Sequence, residues 1–115
     1  MALSPTEDRP ARQEQRHGRR RAALLRCWLS DGAVERYTSL ADVSLEGARV
    51  ATVAPPPVGA VVTLRFRPRP QGGVVEAVAR VVWRTEGFRG RGGVVGLHFV
   101  EVTGMQDLAA LVAEG

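Results

Sequence analysis

Lysine, asparagine and isoleucine are absent from this 115-residue chain, and cysteine occurs once. A single cysteine excludes an internal disulfide and a multi-cysteine metal cluster. Cys27 lies in an apolar run, where the sequence favours a small buried core residue over a reactive thiol. All 16 basic residues are arginine, so the net charge of +4 partly reflects a compositional bias. The positive charge therefore indicates an anionic partner only where arginines cluster in the sequence.

Other absences narrow the class of protein. The first 21 residues are charged and contain Pro5 and Pro10, so we predict neither a signal peptide nor a membrane-inserted helix, and we expect a cytoplasmic location. His17 and His98 are the only histidines and are far apart in sequence, which does not suggest a metal site. No nucleophile can be paired with a base. We expect a binding domain, with no catalytic residue, metal or resident cofactor.

The arginines do cluster near the amino terminus. Six of them lie within fifteen residues that contain one acid, Glu14: Arg12, Arg16, Arg19, Arg20, Arg21 and Arg26. Such a local excess of positive charge attracts phosphate. Because residues 1 to 21 lack hydrophobic periodicity, we predict a flexible tail over residues 1–14 and a flexible arginine arm over residues 15–21. The arm belongs to a single domain spanning residues 15–113.

Alternating apolar residues then predict strands. Six segments show this pattern, separated by turns rich in glycine and proline: residues 22–29, 36–41, 48–53, 61–67, 75–84 and 94–102. In the fifth, the predicted inward phase includes Val81 and Trp83. Residues 105–113 show helical spacing. The pattern predicts an all-β fold, a small six-stranded antiparallel barrel of the split-barrel type with a short C-terminal helix.

Residues 42–47 connect the second and third predicted strands and read Asp-Val-Ser-Leu-Glu-Gly. The Asp42 carboxylate can accept hydrogen bonds from guanine N1 and N2, the Ser44 hydroxyl can add another, and a glycine permits close backbone approach. The guanidinium groups of Arg16 and Arg20 can bind phosphate oxygens or the O6/N7 edge of guanine. These residue types suggest a guanine-nucleotide site. Asp and Ser also cap ordinary turns, which is the alternative interpretation.

The chain resembles PilZ domains, which are bacterial receptors for the second messenger cyclic di-GMP. The resemblance rests on Arg16-x-x-x-Arg20 followed by Asp42-x-Ser44-x-x-Gly47, and it extends to two later motifs, residues 81–83 (Val-Val-Trp) and residues 96–99 (Gly-Leu-His-Phe). Each motif is weak alone, but their order and spacing are more specific.

The resemblance implies roles for individual residues. Arg16 and Arg20 would bind the phosphates and guanine faces of the ligand, Asp42 and Ser44 would bind a guanine edge, and Gly47 would leave room for the turn. Four arginines are further candidate contacts, each with a solvated surface arginine as the alternative: Arg19, Arg21, Arg49 and Arg84. We expect the arm to rearrange on binding and to signal to an unidentified effector protein.

Two other functions stay open. A PilZ-like adaptor would retain the barrel and bind proteins without binding nucleotide. A nucleic-acid-binding barrel is less favoured, because aromatic residues make up 5% of the chain and Trp83 and Phe99 are predicted to face inward. Trp28 lies on an outward phase, where packing is favoured over base stacking.

Overall fold

The computed structural model describes residues 21–114, apart from the side chains of residues 21–24 and 88. Six strands and one helix follow each other along the chain: β1 (Arg21–Ser30), β2 (Glu35–Val43), β3 (Gly47–Thr52), β4 (Val61–Phe66), β5 (Val75–Glu86), β6 (Gly93–Thr103) and α1 (Met105–Glu114). Each observed end lies within two residues of the predicted one. The predicted arm at residues 15–20 and the tail at residues 1–14 lie outside the described residues.

The strands form a closed antiparallel barrel in the order β1-β2-β3-β6-β5-β4. Strand β1 closes it by pairing with both β2 and β4, so that Trp28 lies opposite Tyr37 on one side and Arg65 on the other. Closure pairs the backbone groups that an open sheet would leave at its edges. The fold class predicted from strand spacing is confirmed.

The core consists of the inward residues of all six strands and one face of α1. Leu108, Leu111 and Val112 of the helix are buried, as their spacing predicts. Cys27 is also buried, and desolvation raises the pKa of its thiol to about 12. Because the thiolate is the reactive form, Cys27 is a structural residue rather than a redox thiol.

The inward phase of β5 is interrupted near its end. Val75 through Val81 alternate as predicted, but Trp83 is 40% exposed and Val82 is exposed beside it. The pairing of β5 with β6 shifts register between Val81 and Trp83, and such a bulge breaks the alternation of inward and outward side chains. The prediction that Trp83 faces inward is therefore wrong. Phe99 is buried, as predicted.

Candidate functional site

The connection between β2 and β3 is a tight turn organised by Ser44. Its backbone N–H donates to the Gly47 carbonyl at 2.8 Å, and its buried hydroxyl oxygen accepts from the N–H groups of Glu46 and Gly47, each at 3.2 Å. The Phe99 N–H donates to the Glu46 carbonyl at 2.8 Å, which fixes the turn against β6. The observed contacts of Ser44 agree with the alternative interpretation, in which its side chain caps a turn.

Replacing Ser44 by alanine should therefore destabilise the fold. The buried Gly47 N–H and the partly buried Glu46 N–H would lose their acceptor, which costs about 1–2 kcal/mol in the free energy of unfolding. Urea denaturation measures this. Ser30→Ala is a matched control, because the Ser30 hydroxyl accepts a comparable turn bond from Gly32 N–H at an exposed site. Equal losses for the two variants would contradict the structural role of Ser44.

Gly47 lies at the start of β3, where two strands approach closely. A Cβ at this position would overlap the carbonyl oxygen of Leu97 on β6. Gly47 is not among the glycines with a left-handed backbone, so the requirement is for space rather than for a special φ. The family resemblance implied that Gly47 leaves room for the turn. In the structure, its missing side chain instead allows β3 to pair closely with β6.

Asp42 lies within β2 rather than in the connection that follows it, and it is opposite Arg49 of β3. The Asp42 Oδ2 and Arg49 Nη2 atoms are 2.7 Å apart, with the two side chains 16% and 39% exposed, respectively. The Arg49 Nε–H is buried and has no acceptor among the described residues. At this exposure the ion pair adds little stability, but it orients the carboxylate and the guanidinium side by side.

Asp42 and Trp83 are the two ends of a row of cross-strand neighbours that runs over β2, β3, β6 and β5. Gly96 of β6 lies opposite both Arg49 and Trp83, and a Cβ at Gly96 would overlap the Trp83 indole. The ring therefore packs directly on the glycine backbone, next to the column that carries Arg49. We call the surface formed by Asp42, Arg49, Gly96 and Trp83 the Asp42–Trp83 face. The motifs at residues 81–83 and 96–99 include Trp83 and Gly96 of this face. Strict alternation along β5 nevertheless predicted that the Trp83 ring faces the core.

Three of the predicted ligand-binding arginines lie outside the described residues: Arg16, Arg19 and Arg20. The side chain of Arg21 also lies outside them. The backbone at the start of β1 is described: Arg21 lies opposite Val43 and Ala22 lies opposite Asp42.

Arg84 is half-buried at the end of the barrel. Its Nη1 donates to the Pro55 carbonyl at 3.0 Å, and its Nη2 is 3.2 Å from Glu86 Oε2. These contacts secure the loop between β3 and β4. Among the described residues, no group of three or more His, Cys, Asp or Glu residues is arranged to bind a metal ion.

A protein-family model, the PilZ domain, matches residues 11–114. The chain belongs to the PilZ domain family. PilZ domains bind ligands and proteins rather than catalyse reactions. The matched segment includes the Asp42–Trp83 face as well as Arg16 and Arg20.

Among solved structures, the barrel is similar to the inhibitor of motility MotI/DgrA from Bacillus subtilis, with a TM-score of 0.68 and 20% sequence identity. The match covers 84% of this chain and 47% of that one, so the present PilZ chain spans about half the length of its structural relative. At this identity the likeness concerns the fold alone. No curated protein matched the chain. Within the described residues, no helix has the length and apolar character needed to cross a membrane.

Proposed function

We propose that this PilZ domain is a receptor for cyclic di-GMP, which binds on the Asp42–Trp83 face beneath the arginine arm. One observation carries the proposal. Ala22 pairs with Asp42, so the segment that contains Arg16 and Arg20 joins the barrel directly beside the carboxylate. Arg20 is covalently linked to Arg21, the first residue of β1. This pairing supports an arm that approaches Asp42, the proposed guanine acceptor, from the start of β1.

The Asp42–Arg49 pair supplies complementary chemistry for a guanine nucleotide. The Asp42 carboxylate accepts from guanine N1 and N2, and a carboxylate can accept several hydrogen bonds at once, so the ion pair is compatible with ligand binding. Arg49 provides a planar set of donors for O6/N7 or for a phosphate. An incoming oxygen would also relieve the Arg49 Nε–H, which has no acceptor among the described residues.

Trp83 supplies a stacking surface at the other end of the row. Three strand spacings separate the column of Asp42 from that of Trp83, which corresponds to about 14 Å along the barrel surface. The indole packs against Gly96, which pairs with Arg49, and Trp83 is 40% exposed. Aromatic stacking is worth about 1–3 kcal/mol per base. A ligand with two guanines and two phosphates can use the carboxylate, the guanidinium groups and the ring together.

The other candidate residues have supporting roles in this proposal. Ser44 shapes the turn that follows Asp42, and Gly47 lets β3 approach β6. Arg19 and Arg21 would add phosphate contacts from the arm. Arg84 is engaged by the loop before β4 and is left out of the site. The receptor needs no catalytic group or cofactor, acts in the cytoplasm, and signals when the arm changes position against an effector protein.

Isothermal titration calorimetry tests the proposal. The protein is titrated with cyclic di-GMP, cyclic di-AMP, GTP and a short single-stranded oligonucleotide. We expect saturable heat with cyclic di-GMP and weaker or no binding of cyclic di-AMP, because adenine has no N1–H and N2–H donors for Asp42. Absence of heat with cyclic di-GMP at about 100 μM would reject this function in favour of a protein-binding adaptor.

The exposed aromatic residues favour a nucleic-acid-binding barrel as a second candidate. Trp28, Tyr37 and Trp83 all expose part of their rings, which provides the stacking surfaces that the sequence appeared to lack. The same titration tests this candidate. Oligonucleotide binding with a steep dependence on salt, unchanged by Asp42→Ala, is the result that it requires.

A further inference from the structure

A second cationic surface is centred on β1, and it shares no residue with the Asp42–Trp83 face. Trp28 of β1 lies between Tyr37 of β2 and Arg65 of β4, and all three side chains point outward. The Asp42–Trp83 face runs from β2 across β3 and β6 to β5, whereas these three residues run from β2 across β1 to β4. The two surfaces therefore extend in opposite directions from β2 and share no residue.

Two aromatic rings form the centre of this surface. The ring centroids of Trp28 and Tyr37 are 4.7 Å apart, with the planes inclined by 44°. Trp28 is 38% exposed and Tyr37 is 54% exposed. Burial of an aromatic ring is favourable, so an exposed aromatic pair is a candidate interaction surface.

Two guanidinium groups lie over the rings, and a third, that of Arg67, lines the adjacent cleft. The Cζ atom of Arg26 lies 4.7 Å from the Tyr37 ring centroid, and that of Arg65 lies 6.0 Å from the Trp28 ring centroid. Arg26 is further fixed by a 2.8 Å hydrogen bond to Ser39, and Arg67 by a 2.5 Å bond to the Gly72 carbonyl. We call the five residues the Trp28 patch: Arg26, Trp28, Tyr37, Arg65 and Arg67.

The Trp28 patch borders a cleft of about 500 Å³ with an apolar floor that includes Leu25 and Val74. Arg65 contacts one acid, Glu35, at 3.3 Å. Each guanidinium carries five N–H donors, and the described contacts use one or two of them. The cleft thus combines a local excess of positive charge with a recess large enough for an apolar side chain.

We infer that the Trp28 patch binds an acidic segment of a partner protein, with carboxylates on the arginines and an apolar side chain in the cleft. Trp, Tyr and Arg are the residues that most often dominate the free energy of protein–protein binding. Single-stranded nucleic acid fits less well. The exposed ring faces already carry guanidinium groups, which a stacking base would have to displace. The inference does not depend on nucleotide binding at the Asp42–Trp83 face.

Fluorescence polarisation with a labelled peptide tests this inference. The probe is a short peptide of glutamates with one central phenylalanine, and the matched control peptide has glutamine in place of each glutamate. We expect the acidic peptide to bind with a Kd in the micromolar range and the glutamine peptide to bind at least about tenfold more weakly. A thymidine oligonucleotide is included as the nucleic-acid probe.

Variants assign the binding to the patch. Arg26→Gln and Arg65→Gln should each weaken peptide binding about tenfold. Arg91→Gln removes the same charge from the exposed loop between β5 and β6 and should leave binding unchanged, and circular dichroism checks that each variant is folded. Three results would overturn the inference: no binding of the acidic peptide at about 1 mM, equal weakening by Arg91→Gln, or displacement of the peptide by the oligonucleotide at lower concentration than the unlabelled peptide requires.

Discussion

Asp42→Ala should weaken cyclic di-GMP binding about a hundredfold, because hydrogen bonds to a charged group contribute about 1.5–3 kcal/mol each. The substitution removes the guanine acceptor, and it also leaves Arg49 without the partner that orients it at 2.7 Å. Both effects act on the ligand in the same direction. Titration calorimetry on the folded variant measures the change in Kd.

Glu101→Ala is the matched control for this prediction. Glu101 is an exposed carboxylate on β6, five residues beyond Gly96, and its removal changes the net charge by the same amount. We expect its affinity for cyclic di-GMP to stay within about twofold of the unchanged protein. If both variants lose affinity equally, the effect comes from overall charge rather than from a guanine contact. If Asp42→Ala binds normally, the ligand does not use this carboxylate.

Gly47→Ala should destabilise the barrel by about 3 kcal/mol. Its Cβ would overlap the Leu97 carbonyl oxygen, which is backbone and therefore cannot rotate away. The strands β3 and β6 would have to separate at the point where they also support the Ser44 turn. Since the free energy of unfolding of a domain is about 5–15 kcal/mol, this substitution would remove a large fraction of it.

Gly72→Ala provides the comparison for Gly47→Ala. A Cβ at Gly72 would make ordinary contacts, the shortest at 3.5 Å from the Cβ of Arg69, and Gly72 is not among the glycines with a left-handed backbone. We expect a change of less than about 0.5 kcal/mol in the free energy of unfolding. Thermal and urea denaturation of the two variants test the difference. A Gly47→Ala protein as stable as Gly72→Ala would show that the close approach of β3 to β6 is not a constraint.

The strands were predictable because their inward residues alternate without interruption over most of each segment. Val62, Leu64 and Phe66 of β4 are all buried, as their spacing indicated. Trp83 was not predictable in this way, because a bulge depends on how β5 pairs with β6 and leaves no alternation signal. Gly47 was assigned to a turn because its partner on the adjacent strand, His98 of β6, is 51 residues away in sequence.

The candidate site was partly predictable for the same reason. Asp42, Ser44 and Gly47 are close in sequence, so their grouping follows from a short motif. Arg49 was only a further candidate contact, because its ion pair with Asp42 depends on the register between β2 and β3. The Trp28 patch depends on closure of the barrel, which brings Arg65 of β4 beside β1. Contacts of this kind become visible only when the strand order is known.

The central claim is that cyclic di-GMP binds on the Asp42–Trp83 face, and a proton–nitrogen correlation spectrum tests it most directly. The chain has two tryptophans, so the spectrum contains two indole N–H signals, which Trp28→Phe assigns. We predict that cyclic di-GMP shifts the Trp83 signal in a saturable manner and leaves the Trp28 signal in place. A shift of the Trp28 signal without one at Trp83, or no shift of either signal, would contradict the account.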